Sequence, residues 1–302
     1  MSFSYDAKAE ICRGKIENKS SAVSECYGIV LYCQVFSPEL IRITTSNGAF
    51  ALRLPRLFRK AFGLGFDRVP EEGASGRMVF EISDAEKIRT VYEAFGYDPA
   101  SVISHHINLG VLEEDGCKAD FMRGAFLAGG SVTDPEKGFH LEFSTSHATA
   151  ARETVALLIE MGFAPKLSSR SVSSLIYFKQ ADGISDLLTV LGATGSAMAV
   201  ITARVEREMR NTVTRQINCD SANADKTVSA AQEQLAAIKA YAAKNGLDSL
   251  PDPLKDAALL RIANPAASLA DLARLSCPQV SKSCLSHRLK KIMSLASEEE
   301  IL

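Results

Sequence analysis

An internal repeat limits the possible folds of this chain more than any other feature of its sequence. Short motifs, most of them containing glycine, return in the same order about 96–100 residues later. The matched positions are Gly28 and Gly124, Ser46 and Ser146, Gly63 and Gly162, and Gly96 and Gly192. Loop insertions account for the small drift in spacing, so we expect two copies of one unit, at about 21–100 and 118–197.

Each copy is expected to contain helices and strands in the same order. A helix at Ser24–Gln34 opens the first copy and one at Asp120–Ala128 opens the second, with Ser24 and Asp120 as N-caps. The later strands are expected at Leu40–Thr45, Val79–Ile82, Phe139–Thr145 and Leu175–Phe178, and the later helices at Pro55–Phe62, Ala85–Phe95, Ala148–Met161 and Ile184–Leu191. These segments predict an α+β domain rather than the strict βαβ alternation of a nucleotide-binding sheet.

The length of 302 residues allows more than one domain. We expect an N-terminal segment at 1–20, the duplicated domain at 21–197, a helical linker at 198–248 and a C-terminal domain at 249–302. The linker is expected to hold two helices, Val200–Thr214 and Lys226–Lys244, around the polar stretch Asn218–Asp225.

The C-terminal domain is expected to contain three helices, with a tight turn between the last two. They are expected at Leu254–Ala263, Leu269–Leu275 and Lys282–Ala296, with Ser268 and Ser281 as caps of the second and third. Leu285, Leu289, Ile292 and Ala296 recur at helical spacing, so one side of the last helix faces a core. This order predicts an all-α helix-turn-helix domain.

The whole chain is nearly neutral, with 34 basic and 36 acidic residues, but basic residues are in excess near its C-terminal end. Residues 280–297 contain no Asp or Glu at all. A helix face that is merely solvated usually alternates the sign of its charges, so the missing carboxylates favour double-stranded DNA as the partner. The residues expected to contact DNA are Lys282, Ser283, Ser286, His287, Arg288, Lys290 and Lys291.

A second group of basic residues lies in the duplicated domain. Arg53, Arg56, Arg59 and Lys60 cluster in the first copy, and we expect them to add DNA contacts if they share one surface. Lys166, Arg170 and Lys179 lie in the second copy. Ordinary surface charge explains both groups equally well.

No metal, cofactor or disulfide is expected. The seven cysteines are odd in number and form no C-x-x-C pair, which is typical of reduced thiols. Cys277, Cys284 and His287 lack a fourth ligand at the usual zinc spacing. No stretch approaches the ~20 apolar residues of a membrane-spanning helix, so we expect a cytoplasmic protein without membrane association.

Small residues mark the helix that opens the second copy. Gly124, Ala125, Ala128 and Gly129 would let it approach another backbone closely. Leu127-Ala128-Gly129 within a duplicated α+β unit resembles the LAGLIDADG fold of homing endonucleases. The run 124–135, followed by Pro278-Gln279-Val280-Ser281-Lys282-Ser283, more closely resembles the bacterial WhiA family, regulators of sporulation and cell division.

The resemblance implies a DNA-binding transcription regulator of cell division, chromosome segregation or sporulation genes, associated with the nucleoid and open to a protein co-regulator. Overlaid on the endonuclease motif, Asp134 takes the place of a metal-binding acid, but Pro135 stands where that family has glycine. From Gly28 onward, the first copy offers no acid until Glu39. Because two-metal hydrolysis needs converging carboxylates, we expect binding without cleavage. A metal-dependent endonuclease using Asp134, and an adaptor that recruits a protein or small ligand, remain the alternatives.

Overall fold

The computed structural model describes residues 2–71, 73–74, 76–100, 104–169 and 172–298. The chain divides into two compact units, Met1–Glu208 and Met209–Leu302. The second unit includes most of the segment expected as a linker. Arg170 and residues 299–302 lie outside the described residues.

Unit 1 contains helices packed against two antiparallel sheets. The helices are α1 (Phe3–Arg13), α2 (Lys19–Tyr32), α3 (Gly48–Phe62), α4 (Ala85–Ala94), α5 (Cys117–Gly129), α6 (Ala148–Glu160) and α7 (Ala181–Leu191). The first sheet has the order β1-β2-β3 and the second β4-β5-β7-β6. The strands are β1 (Val35–Ser37), β2 (Leu40–Thr45), β3 (Met78–Ile82), β4 (Gly130–Val132), β5 (Leu141–Thr145), β6 (Lys166–Ser169) and β7 (Ser174–Phe178). The predicted α+β class is confirmed.

The expected duplication is visible in local geometry as well as in element order. Both copies run helix, two strands, helix, strand and helix, with β6 as an addition in the second. The Thr45 and Thr145 hydroxyls each accept a hydrogen bond from the backbone N–H two residues on, at 3.0 and 3.1 Å. Gly63 and Gly162 both follow a helix in the left-handed region, with φ of 74° and 88°. Side chains are strained there, which explains the recurrence of glycine.

The core of unit 1 is organised around the α2–α5 pair. A Cβ added at Gly28 would lie 2.0 Å from the Phe121 carbonyl oxygen, and one at Gly124 would lie 1.9 Å from the Glu25 carbonyl oxygen. The two glycines therefore allow direct backbone contact between the helices, as the small residues predicted. Most of α2 is buried because both copies pack around it.

The predicted starts of these two helices are wrong. Asn18 caps α2, its side-chain oxygen accepting the Ser21 N–H at 2.7 Å, and Gly116 precedes α5. Ser24 is buried instead, and its hydroxyl donates to the Val111 carbonyl at 3.2 Å. The first turn of α2 is mostly polar, and Lys118 and Asp120 interrupt the apolar pattern at the start of α5, so the pattern becomes visible only after each helix has begun.

A further correction concerns Pro55, which lies inside α3 rather than in its first turn. Asn47 is the cap of that helix, its side chain accepting the Phe50 N–H at 3.0 Å. One continuous helix, α8 (Thr194–Asn245), also replaces the two expected in the linker. The polar stretch between them contains no Gly or Pro, so nothing in it interrupts a helix. No helix in the described part of the chain has the length and apolarity needed to cross a membrane.

Unit 2 packs the C-terminal part of α8 with α9 (Asp252–Ala263), α10 (Leu269–Leu275) and α11 (Lys282–Glu298). The predicted caps are confirmed: Ser268 accepts the Asp271 N–H and Ser281 the Cys284 N–H, both at 3.2 Å. The buried residues of its core are Ile238, Tyr241, Leu250, Ala257, Ala258, Leu272, Ala273, Leu285, Leu289 and Ile292.

Candidate nucleic-acid interface

Helix α11 presents a polar, carboxylate-free face opposite its core stripe. Leu285, Leu289 and Ile292 are at most 1% exposed, which turns the other side of the helix to solvent. The residues on or beside that exposed side are Lys282, Ser283, His287, Lys290 and Lys291, all exposed, together with half-buried Ser286 and Arg288. Hydroxyl, imidazole and ammonium groups on one helix face can donate to phosphates and base edges.

The two flanks of α11 differ in charge. Lys282 lines a groove of about 410 Å³ on the side of α8, together with Lys226. Arg288 lines a pocket on the side of α9, together with Asp252 and Asp256. The positive charge of α11 is therefore least opposed on its outer face and on the flank that faces α8.

The groove beside α8 adds residues that the sequence did not reveal as functional. It is lined by Asn223, Lys226, Thr227, Ala230, Gln234, Arg261, Ser268, Leu269, Ala270 and Lys282. Arg261 is 1% exposed, and it donates to Gln234 at 3.0 Å and to the Ala267 carbonyl at 2.6 Å, so it holds α8 and α9 together. Lys226 and Asn223 are exposed. The sequence shows that Asn223 and Lys226 are spaced to lie on one face of α8, but only the tertiary packing brings that face beside Lys282.

In unit 1 the structure corrects the prediction that Arg53 contacts DNA. Its side chain is 5% exposed and forms two hydrogen bonds of 2.7 Å to the buried Glu25 carboxylate. It also donates to the Gly14 carbonyl at 2.6 Å. Burial disfavours the charged guanidinium, but the hydrogen bonds and charge of Glu25 outweigh this and raise the pKa of Arg53. Arg53 is a structural ion-pair residue and is unavailable to a phosphate.

The other three basic residues of α3 are exposed. The Lys60 ammonium donates to the carbonyls of Ile16 and Glu17, at 2.5 and 2.7 Å. Arg56 lines a groove beside α1, whereas Arg59 is not among the groove's lining residues. Of the four predicted residues, Arg53 is thus buried in an ion pair, and Arg56 and Lys60 share the groove beside α1.

The outward faces of the two sheets carry paired acids. Glu81 on β3 accepts from Arg42 at 2.5 Å and from Arg68 at 3.2 Å. Glu142 on β5 lies 3.0 Å from His140 Nε2. The Glu81 carboxylate offsets the charges of Arg42 and Arg68, and Glu142 adds negative charge to the second sheet, so the sheets are less suited to a polyanion than the face of α11.

Asp134 lies in the turn after β4, where its carboxylate accepts the Glu136 N–H at 3.1 Å. Glu39, the first acid of the other copy beyond its opening helix, accepts the Ser37 hydroxyl at 2.9 Å. Among the described residues, no three His, Cys, Asp or Glu side chains come together as metal ligands would. Both carboxylates therefore serve local turns.

Comparison with known proteins agrees with this architecture. The family model of the WhiA LAGLIDADG-like domain matches residues 118–210, and that of the WhiA C-terminal HTH domain matches residues 213–296. "Probable cell division protein WhiA" from Clostridium botulinum (strain Hall) is 34% identical over 310 residues, covering 99% of this chain and 98% of the relative. The chain belongs to the WhiA family. Its WhiA relative from Ruminiclostridium cellulolyticum is 33% identical, covering 98% of this chain and 97% of the relative.

A solved structure supports the same fold. The crystal structure of full-length DUF199/WhiA from Thermotoga maritima aligns with a TM-score of 0.60 at 22% identity, covering 99% of each chain. The LAGLIDADG-like fold of unit 1 and the helix-turn-helix domain of this WhiA-family chain are therefore confirmed.

Proposed function

We propose that this WhiA-family protein binds double-stranded DNA through α11 and regulates transcription. The observation that carries the proposal is the exposed, carboxylate-free face of that helix. Lys282, Lys290 and Lys291 would contact phosphates and supply salt-dependent affinity, since each displaces counterions from the duplex. Ser283, Ser286 and His287 would read base edges in the major groove, whose width admits one helix. Arg288 would contribute less, because Asp252 and Asp256 share its pocket.

The groove beside α8 extends this surface. Lys226 would contact the phosphate backbone next to the contact made by Lys282, because the two residues line one groove. Such backbone contacts fix the register of the recognition helix without reading sequence. DNA contacts from Arg56, Arg59 and Lys60 stay a prediction.

The name of the relatives supports a role in cell division, and their alignment covers nearly the whole chain. We propose that the regulated genes act in cell division, chromosome segregation or sporulation, that the protein associates with the nucleoid in the cytoplasm, and that a protein co-regulator can join it there.

A salt titration tests the docking. Binding of the full chain to genomic DNA fragments is measured by fluorescence anisotropy at several salt concentrations. Lys290→Ala and Lys226→Ala should each weaken binding to all sequences alike and reduce the salt slope by about 1. Lys239→Ala is the matched control, because Lys239 is exposed on α8 but does not line the groove. Unchanged slopes in both test variants would contradict the proposed docking.

A genome-wide map of bound sites tests regulation. Full-length protein and a chain truncated before Ser249 are compared, and sites upstream of genes should disappear with the truncation. If the same sites persist, DNA recognition lies outside α9–α11.

A plasmid assay with Mg²⁺ tests for cleavage. We expect no nicking of the plasmid, and nicking that is lost in Asp134→Asn would favour the endonuclease function instead.

A further inference from the structure

A groove of about 720 Å³ in unit 1 is lined by five basic residues and no acidic one. We call it the α1–α3 groove. Its lining consists of Ala9, Cys12, Arg13, Gly14, Lys15, Ile16, Ala49, Leu52, Arg53, Arg56 and Lys60. Arg13, Lys15, Arg56 and Lys60 are exposed, so their charges are accessible from solvent. Four accessible cations around a cavity attract an anion more strongly than the same charges spread over a surface.

The lining of the groove is fixed before any ligand arrives. The buried Arg53 guanidinium donates to the carbonyls of Cys12 and Gly14, at 3.3 and 2.6 Å. Lys60 donates to the carbonyls of Ile16 and Glu17. Both side chains tie the segment after α1 to α3, so binding would not need to order this segment.

The groove also has apolar surface. Ala9, Ile16, Ala49 and Leu52 belong to its lining, and Leu52 is 69% exposed. A bare phosphate would leave this surface unused, and the backbone of a duplex would meet the cations without filling the cavity. The volume lies within the range of about 300–1,000 Å³ that is typical of small-molecule sites.

We propose that the α1–α3 groove binds a small phosphate-bearing ligand of the nucleotide class. The phosphates would contact Arg13, Lys15 and Arg56, and the base or another planar group would pack on Leu52. This site is independent of DNA binding by α11. It gives the duplicated domain a ligand-binding function in place of phosphodiester cleavage.

Isothermal titration calorimetry of the full chain tests the proposal with ATP, inorganic pyrophosphate and adenosine as probes. ATP should bind at one site per chain. Lys15→Ala/Arg56→Ala should weaken the binding of both ATP and pyrophosphate by at least about tenfold, because two of the cations that would contact the phosphates are removed. Leu52→Ser should weaken the binding of ATP more than that of pyrophosphate, because it removes apolar surface from the groove without adding a charge. Arg152→Ala is the control, because Arg152 is exposed on α6, the equivalent helix of the second copy.

Two results would overturn the proposal. The first is that the unaltered chain binds neither ATP nor pyrophosphate, or that the double variant binds them with the same affinity as Arg152→Ala. Circular dichroism must show that all variants are folded. The second is a double variant that loses affinity for duplex DNA and not for ATP, which would assign Lys15 and Arg56 to DNA binding. Lys290→Ala should leave ATP binding intact, so failure of the α11 docking and failure of this site are distinguishable.

Discussion

Gly124→Ala should destabilise unit 1 by forcing α2 and α5 apart. The added Cβ would lie 1.9 Å from the Glu25 carbonyl oxygen and 3.0 Å from the Ile29 nitrogen, both backbone atoms. To reach an ordinary contact near 3.5 Å, the helices must separate by roughly 1.5 Å. Overpacking of a core costs about 1–3 kcal/mol, and we expect the upper end because no flexible side chain can yield. Glu25 also holds the buried ion pair with Arg53.

Thermal unfolding followed by circular dichroism measures the effect. A loss of about 3 kcal/mol corresponds to a decrease in Tm of about 6–12 °C for a unit of this size. Gly138→Ala is the matched control, because a Cβ there would meet nothing within 4 Å and the backbone is not left-handed. If Gly124→Ala and Gly138→Ala melt within about 2 °C of each other, the helices can adjust and the close-contact argument is refuted.

Two further predictions concern buried or capping carboxylates. Glu25→Gln should lower the free energy of unfolding, measured by chemical denaturation, by about 3–5 kcal/mol, because it leaves the buried charge of Arg53 without a partner. Glu25→Gln/Arg53→Met should recover part of this stability, because it removes the unpaired charge as well. Glu10 accepts the Gly195 and Ser196 N–H groups at the start of α8, at 2.5 and 3.0 Å. Burial raises the pKa of Glu10, but these hydrogen bonds outweigh it and lower the pKa overall. The stability that Glu10 contributes is thus present above the unfolded-state pKa of about 4.3 and is lost as the pH falls through the lower folded-state value. Glu10→Gln should cost about 1 kcal/mol at pH 7 and less at pH 3.5, and a melting difference that is equal at both would contradict this.

Local patterns predicted the fold where local interactions determine it. Strand β2 coincides with the predicted Leu40–Thr45, because strict alternation leaves one face buried. The caps Ser268 and Ser281 were predictable because a cap bonds to backbone three residues away. The start of α2 was not, since its cap precedes a polar first turn that carries no apolar signal.

The candidate sites depended on contacts between distant segments and were harder to predict. Lys226 and Lys282 line one groove although they are far apart in sequence. The burial of Arg53 had a local signal, because Phe50, Leu54 and Leu57 place it on the buried side of α3. Its partner Glu25 lies on another helix, so the sequence could not show that the charge would be neutralised there.

The end of α5 lies beside a partly buried cation, which bears on our proposal that unit 1 does not cleave DNA. In the endonuclease resemblance, acids after the paired helices hold a divalent metal ion, but here the Lys8 ammonium from α1 donates to the Leu127 carbonyl at 3.0 Å in the last turn of α5. Burial lowers the pKa of Lys8 to about 8, which leaves the ammonium mostly protonated at pH 7. A divalent cation near this turn would meet a like charge, whereas the helix end already satisfies its carbonyl through Lys8. The same helix α1 carries Arg13 into the α1–α3 groove and Glu10 to the start of α8. Helix α1 thus places a cation at the end of α5 and contributes Arg13 to the groove that we propose as the ligand site.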